Sequence, residues 1–184
     1  VWNEQDTPPG AGASAVPMPA ADYGYLLNAT VQAIRSSDPR ATIITGGHIG
    51  GPKLGAAYAA SALAAIPASS RPDGVACHSY GRGAAASKYS PFGLIDEDVD
   101  AYSKLLPGGK VWITEWGVLD WPDDPAGAVA DYATSFVERL KRLYSGKVAA
   151  ACWYAWADGM HNGYGLVNAL DHYKEPLYSR FLRL

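Results

Sequence analysis

Residues 110–117 read Lys-Val-Trp-Ile-Thr-Glu-Trp-Gly. Five residues of this stretch are β-branched or aromatic, and it closes on an acid and a glycine. That composition predicts a short strand whose polar residues gather at its C-terminal end. Three more apolar runs resemble it: "ATIIT" (41–45), "GVACHS" (74–79) and "KVAAACWYAW" (147–156). The opening Val1-Trp2 reads as the end of a fifth strand.

Helical patterns separate the runs. They cover 21–36, the alanine-rich 53–66, 94–106, and 125–144, with a short helix at 177–183. Pro125 suits a first turn, and Gly146 suits the residue just past a helix end. Strand–helix alternation predicts an α/β protein with a parallel sheet. The strands recur about every 33–37 residues, close to the roughly 31 of an eight-fold barrel. The expected architecture is a single-domain partial (β/α)8 barrel of about five βα units. An open doubly wound sheet alternates in the same way, but no glycine-rich phosphate loop follows any strand.

Composition narrows the function. The chain has 184 residues, a net charge of −3 and 48% hydrophobic residues. The charge gives no reason to expect nucleic acid or a membrane as partner, and no apolar run is long enough to span a bilayer. Six Trp and twelve Tyr suit either sugar stacking or core filling. Cys77 and Cys152 fall on strands two apart, roughly 9–10 Å, which is too far for a disulfide. Two free, buried thiols are expected. The opening residues lack a signal-peptide pattern. Starting on a strand end is expected of a fragment, a cleaved product or half of an assembly.

The strand ends carry the chemistry. They read Asn3-Glu4, Gly46-Gly47-His48, His78-Ser79-Tyr80, Thr114-Glu115-Trp116-Gly117 and Trp153-Tyr154-Ala155-Trp156. Catalytic groups of a barrel come from these ends. Glu4 and Glu115 would lie three strands apart, both facing the barrel mouth. Glycoside hydrolysis requires such a carboxyl pair. His78 suits either the site or the core. Trp116 either lines a subsite or packs behind Glu115. His48 is a further candidate for substrate contact. His161 and Asn162 sit in a loop that touches substrate or nothing. Asp96-Glu97-Asp98 and Asp123-Asp124 read as solvated helix starts. The spacing of Asp and His suggests no metal, and no cofactor is expected.

In this order, Asn-Glu, His-x-Tyr, Thr-Glu-Trp-Gly and Trp-x-x-Trp resemble clan A of the glycoside hydrolases, in its cellulase-like members, from strand 4 to strand 8. The resemblance implies a retaining enzyme that cleaves β-O-glycosidic bonds of a polysaccharide or oligosaccharide by double displacement. It implies Glu115 as nucleophile, Glu4 as acid/base with its carboxyl raised by burial and by the Glu115 charge, and Tyr80 as hydrogen-bond donor to Glu115. Asn3, His78, Trp156, Trp116 and His48 would contact the sugar, with Trp156 (or Trp153) flooring the subsite. A parent enzyme of this kind would be secreted.

The chain departs from the pattern in two ways. Gln5 stands where the clan usually has Pro. Strands 1–3, with an Arg near the nucleophile, have no counterpart. Five units cannot close the barrel, so association is expected with copies of the chain or with a complementing N-terminal half. The alternative reading is an inactive half-barrel that binds carbohydrate or serves as an assembly unit.

Overall fold

The computed structural model describes residues 1–8, 16–81, 93–119, 124–161 and 163–184; Asp123 and Asn162 lie outside the described residues. Three parallel strands form the sheet: β1 (Gly74–His78), β2 (Lys110–Trp116) and β3 (Val148–Trp153), in the order β1-β2-β3. The helices are α1 (Ala20–Ser37), α2 (Ala56–Ala64), α3 (Ile95–Tyr102), α4 (Ala128–Tyr144) and α5 (Leu177–Phe181). A π-helical turn, Gly51–Gly55, leads into α2.

The expected strand over 41–45 and the one ending at Trp2 are not regular strands. They join the sheet through isolated parallel bridges: Ile44 to Gly74, His48 to Cys77, and Asn3 to Gly47. The residues explain why. The Ala76 amide bonds the Thr45 hydroxyl at 2.8 Å, and the Ile43 amide bonds the Asp73 carboxylate at 2.8 Å. Side chains thus take places that main-chain groups hold in a ladder. Gly46-Gly47 also weakens extended structure, and Trp2 and Glu4 have φ of 69° and 49°, outside the strand region. Five parallel segments remain, laid side by side in chain order, with helices between them. That is a partial (β/α)8 arrangement.

Helices cover one face of the sheet. In α4, Val129, Ala130, Ala133, Phe136 and Leu140 are buried, a helical stripe of the kind that packs on a sheet. Phe136 stacks on Trp116 of β2 at 4.1 Å between ring centroids. Burying a side chain of that size stabilises the fold by roughly 1.5–3 kcal/mol. From α1, Tyr23, Leu27 and Val31 reach the same core.

Two expectations about single residues fail. Cys77 is buried and free, but Cys152 is exposed, because among the described residues β3 is the edge strand of the sheet. The acidic run at the start of α3 is not simply solvated. Asp98 is 2% exposed, and Asp96 accepts bonds from Arg139 and Tyr144. The first turn of α3 faces β1 through Asp98 and α4 through Asp96, while Glu97 is exposed as expected.

Candidate functional site

Glu4, His78, Tyr80 and Glu115 converge at the C-terminal ends of the parallel segments. The Glu4 amide donates to the Gly47 carbonyl at 2.9 Å, and its own carbonyl accepts from the Thr7 amide and hydroxyl. These bonds hold Glu4 in a left-handed backbone conformation that non-glycine residues seldom adopt. Gly47 leaves room for the His78 ring: a Cβ there would lie 2.0 Å from Nε2. Asn3, half-buried, bridges to Gly47 beside Glu4.

The His78 Nδ1 lies 3.2 Å from Glu4 Oε1 and 3.5 Å from Glu115 Oε2. A hydrogen on Nδ1 would bond Glu4, with the Glu115 carboxylate next to it. Tyr80 donates its hydroxyl to Glu115 Oε2. Burial, and then the bond to Glu115, push the Tyr80 hydroxyl well above the usual tyrosine range, so it stays a donor. One oxygen of each carboxylate and one nitrogen of His78 all lie within 4.8 Å of one another. That spacing would also admit a metal ion, which the sequence separation of the three residues conceals. Their existing partners are those of a proton-handling site, with an imidazole between two acids and a phenol on one of them.

An aromatic group adjoins Glu115. Tyr80 meets Tyr154 at 6.1 Å and Tyr164 at 5.9 Å, both edge-on. Tyr154 meets His161 at 5.9 Å. The Tyr164 carbonyl accepts from the Trp153 indole at 3.0 Å and from the Ala155 amide at 3.1 Å, which ties this loop to the end of β3. Sequence reading passed over Tyr154 and Tyr164. The signal was strand alternation: Trp116 pairs with Trp153, and both rings pack toward the helices. Their neighbours Glu115 and Tyr154 therefore face the other way.

Three expected contacts lie elsewhere. Trp116 is 1% exposed and stacked on Phe136, so it packs behind Glu115 and offers no face to a sugar. His48 is 0% exposed. Its Nδ1 bonds the Ala76 carbonyl at 2.8 Å, and its ring is surrounded by Tyr23, Tyr58 and Tyr102. Burial lowers the His48 pKa, so it is a neutral core histidine. Trp156 is 54% exposed, but its ring leans on Tyr178 at 6.2 Å, and Tyr154 takes the place beside Tyr80. A cleft of about 880 Å³ between the loops after β2 and β3 is lined by Leu119, Asp158, Lys174 and Pro176; it includes none of the four converging residues.

No protein family matches the sequence, and no curated protein does. Solved structures do match. A monomeric β-xylosidase from Caulobacter crescentus aligns with a TM-score of 0.65 at 24% identity, over 99% of this chain and 40% of its own. An exo-β-1,3-glucanase from Cryptococcus neoformans aligns with a TM-score of 0.70 at 14% identity, over 97% of this chain and 66% of its own. A family 51 α-L-arabinofuranosidase from Bifidobacterium longum aligns with a TM-score of 0.65 at 19% identity, over 92% of this chain and 39% of its own. The chain thus has the fold of part of these glycosidases, and spans about 40% of the length of the β-xylosidase.

Proposed function

We propose that this chain carries the catalytic carboxylates of a retaining glycoside hydrolase that cleaves β-linked sugars by double displacement. The observation behind this reading is the approach of Glu4 and Glu115 within 4.8 Å. Retaining enzymes hold their carboxyls about 5–5.5 Å apart, whereas inverting ones leave about 6.5–9.5 Å for a water. The names of the similar structures, a β-xylosidase and a β-glucanase among them, support a glycosidic substrate.

In this mechanism Glu115 attacks the anomeric carbon as a carboxylate, while Tyr80 fixes the oxygen it donates to. Glu4 gives its proton to the leaving oxygen. With Glu115 esterified, Glu4 takes a proton from water as the water attacks the anomeric carbon, and the bond from that carbon to Glu115 breaks to free the Glu115 carboxylate. His78 holds both carboxyls at their separation. Asn3 bonds the sugar, and Tyr154 with Tyr164 stacks on it. The three-stranded sheet works with further βα units, supplied by copies of the chain or by a complementing half-barrel.

The test is hydrolysis of aryl β-xylosides and β-glucosides, followed by proton NMR. The first product should have the β configuration. Glu115→Ala should be inactive, and azide should restore turnover as the α-glycosyl azide. A first product of α configuration sinks the retaining mechanism. Sugar binding with no hydrolysis, even with the complementing units supplied, favours a carbohydrate-binding half-barrel instead.

A further inference from the structure

Asp98 is a buried acid for which the reaction above has no use. It lies in the first turn of α3, and its Oδ2 accepts a hydrogen bond from Ser79 Oγ at 2.9 Å. Its Oδ1 is buried and has no hydrogen-bond partner among the described residues. A buried carboxyl with one partner is less favourable than an apolar side chain of the same size. Packing alone therefore does not account for it.

Ser79 stands between His78 and Tyr80. Its amide donates to the Glu115 carbonyl at 3.0 Å. The β1–β2 register shifts between Cys77 and His78, so the regular ladder no longer sets the twist where His78 and Tyr80 emerge. The bond from Ser79 to Asp98 supplies a second tie at that point, on the helix side of the strand. The titratable groups around Asp98 are Glu97 and Tyr102 on α3 and Cys77 on β1. No cation pairs with it among the described residues.

We infer that Asp98 is a positioning residue which, through Ser79, fixes the angle at which His78 and Tyr80 meet Glu4 and Glu115. The inference rests on the reading of those four residues as the site. Burial lifts the Asp98 carboxyl to about 6, so the strength of this tie changes within the usual assay range.

The test uses the full chain, with His and Tyr ring signals followed by NMR from pH 5 to 8. Ser79→Ala and Asp98→Ala should displace the His78 and Tyr80 signals in the same sense. Asp98→Asn, which keeps an acceptor, should leave them in place. The wild type should also show a shift centred near pH 6 that Asp98→Asn lacks. In aryl glycoside assays, Ser79→Ala and Asp98→Ala should each lower kcat about tenfold or more with little change in KM, and the double variant should be no worse. Should Asp98→Ala fail to fold, Ser79→Ala carries the test. Unmoved ring signals in folded Ser79→Ala, or additive losses in kcat, overturn the inference. Displaced signals in a chain that hydrolyses nothing would sink the glycosidase reading and leave the positioning role standing.

Discussion

Glu4 and Glu115, contributed by the first and fourth of five parallel segments, come within 4.8 Å of each other, with the His78 Nδ1 3.2 Å from Glu4 and 3.5 Å from Glu115. The two acids differ in setting. The Glu4 side chain is 10% exposed and that of Glu115 is 22% exposed, and Tyr80 donates to Glu115. Different settings support different roles for chemically equal groups.

The roles separate by leaving group. Glu4→Ala should lose about 10²–10⁴ in kcat on substrates whose leaving group needs a proton. On a dinitrophenyl glycoside, whose leaving group needs none, the first step should survive. Glu115→Ala should lose both. Pre-steady-state measurement of phenol release across a leaving-group series checks this. Equal losses for Glu4→Ala on both substrates would remove it from the acid role.

Tyr80→Phe removes one donor from the Glu115 carboxylate and leaves the ring contacts with Tyr154 and Tyr164 intact. By analogy with the loss of one positioned donor, kcat should fall about 10²–10³-fold, with KM nearly unchanged. Steady-state kinetics decides it. A change confined to KM would assign Tyr80 to sugar binding.

Much of this was legible beforehand, for physical reasons. The αβ alternation, the parallel order and the grouping of polar strand ends follow from periodicity and from strand direction. What escaped is what periodicity does not encode. Which of Trp153, Tyr154 and Trp156 faces the site depends on register, and register was fixed by the Trp116–Trp153 pairing. His48 ends its segment as the catalytic candidates do, yet three tyrosines enclose it. Asp98 looks like an ordinary acid at a helix start, and only the packing of α3 on β1 buries it.

On the function proposed above, that register assigns the sugar platform to Tyr154. Tyr154→Ala should weaken binding of a β-linked oligosaccharide about 3–10-fold, the loss expected from one aromatic face. Trp156→Ala should leave affinity within about twofold, because its ring packs on Tyr178. Calorimetric titration of both variants measures the difference. The reverse order would return the platform to Trp156.

Asp98 also gives stability a pH dependence of a definite sign. An ordinary unfolded-state aspartate titrates near 3.9, while burial raises the folded carboxyl to about 6. Between these values the folded chain binds more protons than the unfolded one, so the contribution is full below about pH 4 and is lost as pH rises past about 6. The loss is roughly 3 kcal/mol at about 1.4 kcal/mol per unit. Asp98→Asn cannot ionise, so it should gain stability over the wild type as pH rises from 4.5 to 7.5. Urea unfolding of both at the two pH values checks this. A constant difference would mean that Asp98 does not titrate in this range.

The far side of β3 leads to the last prediction. Among the described residues Val148–Trp153 pairs only with β2, and Ala149 and Cys152 on it are exposed. The strand reads Val-Ala-Ala-Ala-Cys-Trp, with no proline or charge to discourage another strand from pairing there. An unprotected edge of small residues suits the addition of another strand and would leave unpaired amides and carbonyls in water otherwise. Light scattering at micromolar concentration should therefore give a mass above the 19.5 kDa of one chain. Ala149→Lys places a charge on that edge and should weaken association about tenfold or more, with the circular dichroism of the fold retained. A wild type that stays monomeric at all concentrations, with the same spectrum as the variant, would mean that this edge is covered from within the chain.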